Sequence, residues 1–91
     1  MRESKVLVSN RLGLHARAAA QLVRLAARFK SSVTLFREDQ NVFANAKSIL
    51  SVLALAASKG TELTITAEGD DEEAALNEIE VLFATGFGES I

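Results

Sequence analysis

Apolar and polar residues alternate along the chain with two different periods, and the switches between them mark out the elements. "KVLVS" (5–9) is short, apolar and β-branched and predicts a strand. From Ala16 to Phe29 the period lengthens. Ala19, Leu22, Val23, Ala26 and Phe29 recur at three- and four-residue spacings, the apolar stripe of a helix. Arg17, Gln21, Arg24 and Arg28 form its polar stripe. "SVTLFR" (32–37) sets Val33 and Leu35 against Thr34 and Phe36, the two-residue period of a strand. The polar turn "EDQN" (38–41) and the short run "VFA" (42–44) complete a hairpin. Asn45 stands where it can cap a helix over "AKSILSVLALAASK" (46–59), with Gly60 as its stop. "TELTITAE" (61–68) alternates again, with Leu63, Ile65 and Ala67 on one face. Asp70 and Glu73 have the spacing of a capping box, with Asp in place of the usual Ser or Thr. They open a last helix that turns Leu76, Ile79, Leu82 and Phe83 inward and ends near Gly86.

The predicted order is β-α-β-β-α-β-α. Four short strands with one alternating face each predict an α+β protein, an antiparallel sheet covered by helices on one side. No linker, low-complexity stretch or internal repeat interrupts the order, and 91 residues predict one domain, 1–91. A hydrophobic content of 48% supports a packed core.

Composition then removes whole classes of function. Without cysteine there is no disulfide scaffold and no thiolate metal site. No apolar run approaches the ~20 residues that span a bilayer, so no membrane insertion is expected. "MRESKVLVSN" lacks the apolar run and cleavage site of a signal peptide, so the expected location is cytoplasmic. The net charge of −2 is unevenly spread. Residues 11–30 hold Arg11, Arg17, Arg24, Arg28 and Lys30 and no acid; residues 68–80 hold seven acids and no base. A mildly acidic chain whose only aromatics are five Phe is a poor nucleic-acid binder. Its basic stretch suits a phosphate or an acidic protein surface.

The candidate chemistry gathers in "GLHARAAAQL" (13–22), which holds the only histidine. Gly13 permits a sharp turn into the helix. His15 then stands at or beside the N-cap, where unpaired amides and the positive end of the helix dipole favour an anion. Arg17 adds a permanent charge suited to phosphate oxygens, and Ala16, Ala18, Ala19 and Ala20 leave the helix end uncrowded. The same residues also fit a plain exposed loop histidine, and neither reading tells a bound phosphate from a covalent one. One His and no Cys argue against a transition metal, and helix capping explains "DDEE" (70–73) better than a divalent ion does. A Ser-His-Asp triad would need Asp39, Asp70 or Asp71, all in turns or caps. No glycine-rich nucleotide loop is present, and no cofactor is expected. The second helix carries Lys47 and Ser48 in its first turn and is apolar nearly all round. Ile49, Leu50, Val52, Leu53 and Leu55 cannot all face one sheet, so some should form an exposed patch for a partner.

"GLHAR" (13–17), "KSIL" (47–50) and "ASKGTELTITAEG" (57–69) resemble the HPr family, the histidine-containing phosphocarriers of the bacterial phosphotransferase system. The resemblance covers essentially the whole chain in the same order. It implies an open-faced β-sandwich, a four-stranded antiparallel sheet with three helices on one face. It implies that His15 accepts a phosphoryl group on a ring nitrogen from phospho-enzyme I, ultimately from phosphoenolpyruvate, and passes it to EIIA proteins or domains for sugar uptake. Arg17 would steady the phosphate. Ser48 matches a regulatory serine phosphorylated by HPr kinase/phosphorylase in many bacteria. Ile49, Leu50 and Leu53 match an apolar docking patch, to which Arg24, Arg28 and Lys47 would add the basic part. A carrier of this kind is a monomer and a substrate of its partners, not an enzyme. Two departures stand out: Ala18 replaces the usual proline, and the hairpin around 36–43 looks about two residues longer than in many members. The longer hairpin leans toward the NPr branch, the regulatory carriers of the nitrogen-related system. Two further classes compete with a carrier: a regulator that works by binding alone, and a small acylphosphatase-like hydrolase of similar length and element order. The unique His15 argues against the binding-only regulator.

Overall fold

Four strands make one antiparallel sheet in the computed structural model, which describes residues 1–89. They are β1 (Arg2–Leu7), β2 (Ser32–Arg37), β3 (Val42–Asn45) and β4 (Glu62–Glu68), in the spatial order β1-β4-β2-β3. Helices α1 (Ala16–Ala26), α2 (Ile49–Ala54) and α3 (Glu72–Ala84) complete the β-α-β-β-α-β-α order, with 3-10 turns at Glu38–Gln40 and Gly86–Gly88. β4 lies between β1 and β2, pairing Leu63 with Val6 and Ile65 with both Ser4 and Leu35. Because side chains alternate across a strand, this register turns Val33, Leu35, Leu63, Ile65 and Ala67 to one buried face. The helices cover it with Ala18, Ala19 and Leu22 of α1, Val52 of α2 and Leu76, Ile79 and Phe83 of α3. Each large side chain so enclosed stabilises the fold by about 1.5–3 kcal/mol. The other face is open and carries Thr34, Thr64 and Thr66. There Phe36 stacks on its cross-strand neighbour Phe43, ring centroids 4.3 Å apart.

The strands over 32–37 and 62–68 match their alternation closely, and the boundaries of the other elements are corrected. β1 begins at Arg2 rather than Lys5, because β4 runs on to Ala67 and supplies a ladder for the polar residues. α1 ends at Ala26, and Phe29 packs half-buried beyond it.

α2 has six residues, not fourteen. Its N-cap is Ser48, whose hydroxyl accepts the Ser51 N–H at 3.4 Å. Asn45 instead ends β3, and its side-chain oxygen accepts the Lys47 N–H at 2.9 Å, a local turn that competes with helix. The helix stops at Leu55, and Ala56 is left-handed at φ 50°, well before Gly60. The Arg37 guanidinium explains the early stop: it donates to the Leu55 and Ala56 carbonyls at 2.8 and 3.0 Å, so these terminal acceptors are satisfied without Gly. At α3 the expected Asp70–Glu73 box is replaced. Glu72 accepts the Gly69 N–H at 3.0 Å, Glu73 pairs with Arg2, and Asp71 turns toward the start of β2.

Candidate functional site

The site begins with a close approach of backbones. Gly13 has φ 68°, and a Cβ there would lie 2.6 Å from the Ala57 carbonyl oxygen and 2.9 Å from Ser58 Cα. Only glycine meets both conditions. Leu14, buried, donates its N–H to that same Ala57 oxygen at 2.9 Å. The early exit from α2 is what presents Ala57 to the entrance of α1. The next residue, His15, is thereby set as the N-cap of α1 in extended conformation.

Its two ring nitrogens face different partners. Nδ1 accepts the N–H of Arg17 at 3.3 Å. Nε2 lies 2.5 Å from Oε2 of Glu89. With Nδ1 accepting, the ring proton resides on Nε2 and is donated to the carboxylate. The first α-helical bond runs from Ala19 N–H to the His15 carbonyl at 2.8 Å, so the earlier amides point out of the helix end. The imidazole keeps 27% of its side-chain surface exposed and Arg17 is exposed. A nitrogen lone pair, the positive end of a helix and a guanidinium thus meet at a surface open to a partner, an arrangement suited to a transferred anion.

Glu89 is held in turn. Its Oε1 accepts from Asn10 Nδ2 at 3.1 Å, and the same amide donates to the Gly13 carbonyl at 2.7 Å. Asn10 is fully buried, so this clamp is shielded from water. The hydrogen bonds from His15 and then Asn10, with a smaller contribution from the Arg17 charge, hold the Glu89 carboxyl below the usual range.

The other candidates fall on two helices. Arg24 and Arg28 are exposed on and just beyond α1. Ile49 is 39% and Leu50 77% exposed at the start of α2, whereas Leu53 is half-buried against the core rather than part of an open patch. Lys47 precedes the helix, and its ammonium is not free: Nζ donates to the Phe29 carbonyl at 2.8 Å, tying the end of α1 to α2. Ser48 stands outside the first turn, as the cap. The aspartates considered for a triad are engaged elsewhere or exposed: Asp39 pairs with Arg37, Asp71 binds Lys30 and Ser31, and Asp70 faces solvent. Sequence reasoning missed Asn10 and Glu89. The readable signal was "GFGE" (86–89), an aromatic between glycines that turns the chain after α3. Among the described residues, no three His, Cys, Asp or Glu side chains gather as a metal ion would need.

Comparison with known proteins agrees with this architecture. The family description "PTS HPr component phosphorylation site" matches residues 2–85. The chain is 44% identical over 89 residues to the phosphocarrier protein HPr of Xylella fastidiosa, covering 98% of each chain. It is 51% identical over 84 residues to that of Treponema pallidum, covering 92% of this chain and 93% of the other. The crystal structure of HPr-C-His from Thermoanaerobacter tengcongensis superposes with a TM-score of 0.94 over the whole of both chains at 38% identity. Similarity extends to the phosphocarrier protein NPr of Proteus mirabilis (42%) and the HPr-like protein Crh of Bacillus subtilis (46%). Fold and sequence together define a small phosphocarrier-type protein. The chain belongs to the HPr family of the phosphotransferase system.

Proposed function

We propose that this protein carries a phosphoryl group on His15, taken from phospho-enzyme I and drawn ultimately from phosphoenolpyruvate, and delivers it to EIIA proteins in sugar uptake. The observation that carries this reading is the acceptor nitrogen Nδ1, placed at the open end of α1 with its lone pair toward the Arg17 amide. In the transfer the Arg17 amide releases this lone pair, which forms the N–P bond while the donor's bond to phosphorus breaks, its electrons staying with the donor. The helix amides and the Arg17 guanidinium then face the phosphoryl oxygens. Positioning and charge stabilisation do the work, as in phosphoryl transfer generally. The partners would dock on Arg24, Arg28, Ile49 and Leu50. A phosphate on Ser48 would add up to about two negative charges next to Ile49 and Leu50 and oppose that docking. In this reading the protein acts as a cytoplasmic monomer.

The test is incubation with enzyme I and phosphoenolpyruvate. The parent chain should gain one acid-labile phosphate and His15→Ala none. Labelling of the variant would overturn the assignment. The longer hairpin and the similarity to an NPr favour a second reading, a carrier for the nitrogen-related system. Offering the phosphorylated protein to EIIA proteins of both kinds separates the two, since the proper acceptor drains the label faster.

A further inference from the structure

We infer that Glu89 is a positioning residue for this transfer: its carboxylate holds the His15 ring by Nε2 and faces the positive charge that the ring gains when Nδ1 is phosphorylated. The inference rests on the carrier reading above and deepens it.

The first support is a relay. Asn10 is buried and spends both of its amide hydrogens, one on the Gly13 carbonyl at the entrance of α1 and one on Glu89 Oε1. The other carboxylate oxygen is left for His15 Nε2 at 2.5 Å. Entrance, carboxylate and ring are therefore fixed relative to one another.

The second support is the segment that brings Glu89 to the site. α3 ends at Ala84, and the chain must reverse to return to α1. It does so through Phe87 at φ 59°, a conformation that a bulky residue rarely adopts. Packing holds it there: Phe87 is 3% exposed and meets the edge of Phe83 with centroids 5.0 Å apart. The Gly88 and Glu89 amides close the turn on the Thr85 and Gly86 carbonyls at 3.1 and 3.0 Å. A backbone held in so unfavourable a state by the surrounding packing is a feature of functional sites.

The third support is charge balance. Before transfer the ring is neutral, with its proton on Nε2. Forming the N–P bond with the Nδ1 lone pair leaves the ring cationic, that proton still in place. On delivery the N–P electron pair returns to Nδ1 and the ring is neutral again. The proton never has to leave, and a carboxylate at Nε2 stabilises the cationic state at both transfers. The hydrogen bonds from His15 and Asn10, with a smaller contribution from the Arg17 charge, hold the Glu89 carboxyl below its usual range, so it is ionised for this role.

The experiment compares the full chain with Glu89→Gln and Glu89→Asp. A charge-assisted hydrogen bond is about twice as strong as a neutral one, and losing that margin should slow charging of Glu89→Gln by enzyme I about tenfold in kcat. KM and the melting temperature should stay near those of the parent, and Glu89→Asp should recover part of the rate. In proton NMR the parent should show a downfield, slowly exchanging Nε2 proton that shifts upfield and exchanges faster in Glu89→Gln. An unchanged kcat together with an unchanged Nε2 proton would overturn the inference. So would a loss confined to KM or melting temperature, which marks a purely structural contact. If the parent takes no phosphate, the carrier reading itself has failed. The Nε2 resonance then still decides whether Glu89 holds the ring.

Discussion

The N-terminal ends of α1 and α3 are both built around one ionisable side chain, His15 and Asp71, and they put it to opposite uses. At α3 every lone pair of consequence is consumed. Asp71 Oδ2 accepts the Lys30 N–H at 2.8 Å, while Oδ1 accepts the Ser31 N–H at 2.9 Å and the Ser31 hydroxyl. Ser31 is 1% exposed, so the carboxylate is a joint between α3 and β2. These bonds, led by that of the Ser31 side chain, lower the Asp71 pKa from 3.8 to about 2. At α1 a single amide bonds Nδ1, alanines crowd nothing, and the cap faces solvent. On the carrier reading, a helix end serves as a reactive site when its cap carries a nucleophile and no neighbouring segment consumes it. It becomes a joint when one does.

The sharpest test of this contrast is His15→Ala, which should abolish phosphate uptake completely while costing no more than about 1 kcal/mol of stability for the lost cap. Urea unfolding beside the labelling assay checks both halves. A large stability loss would make the α1 end a joint as well.

At the α3 end the effect should be on stability alone. A Cβ on Gly69, whose φ is 149°, would lie 2.6 Å from Ser31 Oγ and 2.7 Å from its Cα. Gly69→Ala should therefore lose about 2–3 kcal/mol, read by urea unfolding, with charging of the folded fraction intact. The pH dependence has a definite sign. The folded pKa of Asp71 is depressed, so its contribution is present above pH 3.8 and is lost as pH falls through about 2. Unfolding midpoints measured from about pH 5 to about pH 2 should fall more steeply in the parent than in Asp71→Asn. Equal slopes would remove Asp71 from the joint.

Further from both ends, Arg24→Glu with Arg28→Glu should slow transfer from enzyme I by about tenfold at low salt, with little change in stability. The gap should narrow as salt rises, because exposed charges act through screened attraction. Stopped-flow transfer at two salt concentrations reads this, and equal rates at low salt would exclude α1's basic flank from docking.

The smallest effect is expected at residue 18. Ala18 precedes the first α-helical donor, Ala19, so proline removes no helical bond there. Its side chain is fully buried, so the gain from a stiffer unfolded chain is opposed by the room the ring needs. Ala18→Pro should shift stability by less than about 1 kcal/mol either way and leave charging unchanged. A larger loss, measured by thermal unfolding, would mean that the open end of α1 depends on alanine.

Much of this was legible because it is local. A strand face such as Leu63, Ile65 and Ala67, a helix stripe such as Ala19, Leu22 and Ala26, and the Gly-x-His-x-Arg spacing of the site each lie within a dozen residues. Short-range sterics and hydrogen bonding encode them. The errors fell where a distant group intervened. α2 looked long from its own residues, yet Arg37, eighteen residues before Leu55, ends it by satisfying its last carbonyls. Lys47, expected on the basic docking surface, has its ammonium bonded to the Phe29 carbonyl, a contact that no local pattern announces.

By itself the sequence determined the order of elements, the buried faces and the place of His15 at the start of a helix, because period and cap act over a few neighbouring residues. Only the tertiary structure decided which His15 nitrogen accepts and which donates. Its carboxylate partner lies 74 residues away along the chain, and Asp71 lies 40 from Ser31. Contacts at such separations leave no periodic trace, since they exist only after the sheet has closed and packing has forced Phe87 into its turn.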